Sequence, residues 1–86
     1  MSPTVLRSGP YRFFFFATDR EELPHVHVAR ERKVAKLWLS PVRRAYNHGF
    51  TTGELNRVAA LVRQHEFGLL KAWHDYFSSS DRGGDS

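Results

Sequence analysis

The chain has 86 residues, a formal net charge of +4 and an aromatic content of 14%. That length holds one domain, and a domain so short buries a modest share of its surface, so its stability margin is thin. Cysteine is absent, which excludes disulfides and thiolate metal sites. No apolar run approaches the roughly 20 residues that a membrane-spanning helix needs. The start, Met1-Ser2-Pro3-Thr4, lacks the basic residues and apolar stretch of a secretory leader. The chain is therefore expected to be cytoplasmic, without a membrane contact.

Taken in chain order, Thr4 to Arg7 reads as a short strand and Ser8-Gly9-Pro10 as a turn. Tyr11 to Phe16 is aromatic-rich and predicts a second strand, paired with the first as an antiparallel hairpin. Ala17 to Pro24 is a polar loop with three acids, Asp19, Glu21 and Glu22. His25 to Ala29 predicts a third strand, whose alternation sets Val26 and Val28 on one face and His25 and His27 on the other. Val34 to Leu39 predicts a fourth, ended by Pro41, which cannot donate to a ladder. The segment from Pro41 to Phe50 is ambiguous and is compatible with a helical turn stopped by a left-handed Gly49, with Phe50 as an apolar staple.

Thr51-Thr52-Gly53-Glu54 matches a capping box, in which Glu54 reaches back to a free amide. Leu55, Val58, Ala59 and Val62 follow at helical spacing, as do Leu69, Leu70, Trp73 and Phe77. One long helix fits this pattern, and so do two broken near Gly68. Residues 78–86 carry no apolar side chain and are expected to be disordered.

The assembled expectation is a single α+β domain over residues 1–77. It has a small antiparallel sheet of three to four strands, with a C-terminal helix or helices packed on one face. The expected core contains Val26, Val28, Leu37, Leu39, Leu55, Val58, Val62, Leu70 and Trp73. The opposite face then carries His25, His27, Lys36 and Trp38, and a one-residue slip would invert this assignment.

Three features could carry chemistry. His25-Val26-His27 places two imidazoles side by side on a strand. One could act as base and its neighbour as acid, the pair could hold a transition metal, or both rings could simply be solvated. A metal needs further ligands. Asp19, Glu21, His48, His74 and Asp75 are available, none at a defining spacing, so the sequence assigns no metal ligands and no cofactor.

The second feature is a run of cations interleaved with aromatics: Arg12, Arg30, Arg32, Lys33, Lys36, Trp38, Arg43 and Arg44. Arg12 alternates with Phe14 and Phe16, and Lys36 with Trp38. A sheet face of this kind can bind nucleic acid through phosphates and base stacking; packing under a loop or against a partner is the alternative. The third feature is Trp73-His74-Asp75-Tyr76-Phe77, where Trp73 and Phe77 share a core-directed face, and His74 and Asp75 either point to solvent or complete a site with His25 and His27.

Pro3-Thr4-Val5-Leu6, Tyr11-Arg12-Phe13-Phe14-Phe15, Pro24-His25-Val26-His27-Val28, Ala35-Lys36-Leu37-Trp38-Leu39 and Leu70-Lys71-Ala72-Trp73-His74-Asp75-Tyr76-Phe77 occur in this order along the chain. This series resembles the family of short bacterial proteins known as domain of unknown function family 4160, most specifically in the Pro-His-Val-His-Val segment. The resemblance implies a bacterial, cytoplasmic protein encoded beside a second small protein, in an arrangement like a toxin–antitoxin pair. Where the family has a glycine-bearing turn with acids nearby, this chain has Arg30-Glu31-Arg32-Lys33, so the basic patch is a feature of this chain.

The leading expectation is a toxin–antitoxin-like component that acts through a small partner protein and, in addition, through RNA or DNA. The rivals are a metal-independent ribonuclease with His25 and His27 as catalytic pair, and a metal-binding module. An exposed sheet edge also allows a homodimer.

Overall fold

In the computed structural model, residues 4–85 are described, with side chains as far as Ser78. The disordered tail expected over 78–86 lies, beyond Ser78, outside the residues described in full. Five strands form one antiparallel meander in the order β1 to β5: β1 (Thr4–Ser8), β2 (Tyr11–Phe14), β3 (His25–Arg30), β4 (Lys33–Trp38) and β5 (Arg43–His48). Two helices follow, α1 (Thr52–Gln64) and α2 (Glu66–Asp85).

The register sorts the side chains into two faces. One row across the sheet is Phe13, Val28, Ala35 and Asn47; the adjacent row is Phe14, His27, Lys36 and Tyr46. The first row belongs to the helix-covered face. There Phe13, Phe15, Val26, Val28, Ala35 and Leu37 pack with Leu55, Val58, Val62, Leu69, Trp73 and Phe77 from the helices. Removing a Val- or Phe-sized side chain from water contributes about 1.5–3 kcal/mol, so this single layer supplies most of the driving force for folding. Of the core residues expected from the sequence, eight are buried, while Leu70 is partly buried at the margin.

Four details differ from the sequence reading. First, Pro41 to Phe50 holds a fifth strand, not a helical turn. All of β5 is exposed or half-exposed, so no apolar alternation announces it; the ladder to β4 alone decides its conformation. Gly49 does adopt the expected left-handed backbone, φ 103°, and a β-carbon there would sit 3.2 Å from Cγ of Lys33.

Second, β2 stops at Phe14, and the loop after it contains a 3-10 turn over Ala17–Glu21. The backbone leaves the ladder because the amide of Phe16 donates to Asp19 Oδ2 at 2.8 Å. Third, the helices break at His65; Gly68 lies within α2. Fourth, the capping box at α1 is half made. Thr51 Oγ1 accepts from the Glu54 amide at 3.1 Å as expected, but the Glu54 carboxylate turns away to the sheet.

Candidate metal centre

The loop between β2 and β3 folds over the open face of the sheet. Phe16 caps the 3-10 turn, and its ring meets the His27 ring edge to face at 4.6 Å. Phe14, the cross-strand neighbour of His27, stacks on it at 5.4 Å. The turn thereby brings Asp19 onto the histidine strand. All three residues end up shielded from solvent: His25 is 0% exposed, and Asp19 and His27 are 6% exposed each.

Asp19 Oδ2 lies 3.1 Å from His25 Nε2 and 3.4 Å from His27 Nε2. These contacts lack the direction of N–H···O hydrogen bonds, and both Nε2 atoms are without a hydrogen-bond partner, as is His27 Nδ1. Buried polar atoms are nearly always paired, so two orphaned nitrogens converging on one carboxylate require an explanation. On the other side of its ring, His25 Nδ1 donates to the Leu23 carbonyl at 2.8 Å. A carbonyl only accepts, so in the neutral ring the proton sits on Nδ1 and Nε2 carries the lone pair. The same device fixes the tautomer of metal-ligating histidines.

Charge on the His27 ring does not account for the cluster either. Burial pushes the His27 imidazole below its ordinary pKa, more than the Asp19 carboxylate raises it. A neutral His27 offers one ring lone pair and one N–H, not a cation, to its neighbours.

The geometry fits a metal ion. Ligand atoms about 2.0–2.1 Å from a tetrahedral zinc stand about 3.3 Å apart, close to the two observed separations. One atom from each of the three side chains lies within 4.8 Å of the other two, and no other such trio occurs among the described residues. Two imidazoles and one carboxylate match the ligands zinc takes, and a thiolate is not required.

At the margin of this cluster, Lys36 Nζ donates to Glu22 Oε1 at 2.5 Å and lies over the Trp38 ring at 4.6 Å. That hydrogen bond holds the Glu22 carboxyl below its ordinary range.

Of the five further ligands considered from the sequence, the fold delivers Asp19 alone. Glu21, His48, His74 and Asp75 are exposed, and Asp75 pairs with Lys71 instead. The cations expected as one nucleic-acid surface are divided. Arg12 lies over Phe14, and Lys36, Trp38 and Arg43 share the open face with it by register. Arg30 and Lys33 bind Glu54 of α1 at 2.8 and 3.2 Å, Arg44 binds Asn56 of α1, and Arg32 stands exposed in the β3–β4 turn.

Sequence reasoning did not anticipate the Leu23 carbonyl, the Phe14 and Phe16 walls, or Glu22 beside the cluster. The Leu23 carbonyl, the Phe16 wall and Glu22 depend on where a short loop lands, and the Phe14 wall on the register of β2 with β3, and neither has a local signal.

The architecture defines a small α+β domain with a buried two-histidine, one-carboxylate cluster on the open face of its sheet. The chain belongs to the family described as Domain of unknown function (DUF4160), whose model matches residues 11–74. That span includes Asp19, Glu22, His25 and His27. No curated protein and no solved structure matches the chain. No helix among the described residues is long and apolar enough to cross a membrane.

Proposed function

We propose that this protein is a metal-binding module in which Asp19, His25 and His27 hold one divalent transition-metal ion of the zinc class. The observation that carries the reading is the convergence of two buried Nε2 atoms on Asp19 Oδ2 without hydrogen-bond geometry. The ion would tie the 16–24 loop to the sheet and relieve the unsatisfied lone pairs. For a domain with so small a core, a structural metal is a common staple.

The same burial argues against the metal-independent ribonuclease. An acid–base pair must come within hydrogen-bond reach of the proton it moves, and the His25 ring has no exposed surface.

The test is titration of untagged, metal-stripped protein with zinc, read by calorimetry and by thermal melting. One ion per chain is expected, with binding lost in Asp19→Asn and in the His25→Ala, His27→Ala double variant. A stripped protein that neither takes up zinc nor melts higher in its presence would refute the assignment.

A second reading concerns what the module binds. The open face beside the centre combines Arg12, Lys36, Arg43, Trp38 and the half-exposed Tyr46, a set suited to single-stranded RNA or to the small partner protein implied by the family resemblance. Binding to RNA through phosphates should weaken steeply as salt rises, and Tyr46→Ala should lower affinity at every salt concentration. Affinity for a short single-stranded RNA that ignores both changes would leave the protein partner as the occupant of this face.

A further inference from the structure

Three protein ligands leave a zinc-class ion one short of the four it takes in closed, structural sites. The cluster is closed: the ligating nitrogens carry no solvent-accessible surface. A fourth protein donor is therefore to be sought at its margin.

Glu22 is placed there by two independent relations. The first lies along the chain. Asp19 and Glu22 are three residues apart across the 3-10 turn, with the Glu22 amide donating to the Asp19 carbonyl at 2.9 Å. Glu22 is the C-cap of that turn, so this hydrogen bond ties its backbone directly to that of Asp19. The second lies across the sheet. Glu22 is held by Lys36, and Lys36 is the direct cross-strand partner of His27. The two relations bring the Glu22 carboxylate to the margin of the cluster.

Building on the metal-centre reading above, we propose that Glu22 is the fourth protein ligand, released by Lys36 and closing an Asp19–Glu22–His25–His27 set when the ion binds. The carboxylate exchanges one cation for another. The ion supplies the stronger attraction, while Lys36 keeps its ammonium over the Trp38 ring. The metal-free arrangement is the waiting state: the ammonium neutralises a carboxylate that would otherwise crowd Asp19. An exposed ion pair of this kind is worth little, so it opposes closure weakly.

Cobalt(II) is the probe, because tetrahedral and higher coordination give d–d bands of very different intensity. Metal-free wild type, Glu22→Gln, Lys36→Met and the double variant are titrated, after circular dichroism has established that each is folded. Wild type is expected to give the intense tetrahedral band. Glu22→Gln is expected to bind at least about tenfold more weakly, with a weaker and shifted band. Lys36→Met is expected to bind up to about fivefold more tightly, the worth of the released ion pair, and the double variant should not show that gain.

Wild-type affinity and spectrum in Glu22→Gln, alongside lost binding in Asp19→Asn, would overturn the role of Glu22 while leaving the three-ligand centre intact. A gain from Lys36→Met that persists in the double variant would also overturn it, since the lysine would then act by its charge alone. No cobalt bound by any of the proteins would remove the metal centre itself.

Discussion

Two carboxylates on this domain gather basic side chains around them, and they do so in opposite ways. Glu54, in the first turn of α1, accepts from Tyr11 Oη at 3.0 Å, Arg30 Nη1 at 2.8 Å and Lys33 Nζ at 3.2 Å. Every contact is a directed hydrogen bond, two of the donors are permanent cations, and the helix N-terminus adds its own positive field. Asp19 instead faces two neutral-capable imidazoles whose Nε2 atoms have no hydrogen-bond partner. The first cluster is complete as it stands and clamps α1 to the sheet. The second leaves buried ring nitrogens without a partner. Basic neighbours alone therefore do not mark a site; unsatisfied lone pairs in a buried place do.

The largest expected effect separates the two directly. Zinc at about 100 times its dissociation constant should stabilise the wild-type protein by about 2.7 kcal/mol, a rise in melting temperature on the order of 10 °C or more for a domain of this size. Asp19→Asn should show no such rise. Glu54→Gln, in contrast, should keep the full response. A zinc response lost equally in both variants would collapse the distinction between the clusters.

A pH series sharpens the comparison from the other side. Burial works to raise the Glu54 pKa, but the hydrogen bonds from Tyr11, Lys33 and Arg30 outweigh it and hold the carboxyl below its ordinary value of 4.5. A depressed carboxylate contributes stability that is present above that ordinary value and is lost as pH falls through the folded one. Melting curves of metal-free wild type and Glu54→Gln should thus differ at neutral pH and converge in acid. A constant offset at every pH would mean that Glu54 acts by packing alone.

The smallest effect tests the cap next to Glu54. Thr51→Ala should cost about 1 kcal/mol in urea unfolding, by the same amount with and without zinc. A zinc-dependent cost would mean that the two regions are coupled through the sheet.

What was legible in the sequence follows period and local chemistry. The alternation of His25-Val26-His27-Val28 set both imidazoles on one face and both valines in the core, because strand side chains have a period of two and the apolar pair must be buried. The cap at Thr51 and the left-handed Gly49 were legible for the same reason: each is dictated by bonds or sterics within a few residues. β5 was not, since its side chains are exposed on both faces and carry no pattern.

Nor was the centre as a centre. Asp19 was one of five candidate ligands, and nothing within the 17–24 segment says where a loop of that length will land. The sequence by itself determined that two histidines stand side by side on a strand opposite a hydrophobic layer. Only the tertiary structure decided that Phe14 and Phe16 would wall them in, that Leu23 would fix one tautomer, and that the loop would lay Asp19 against them with Glu22 held by Lys36 at the margin. Periodicity is a property of neighbouring bonds, whereas the closing of a loop onto a sheet face is decided by everything the loop touches when it gets there.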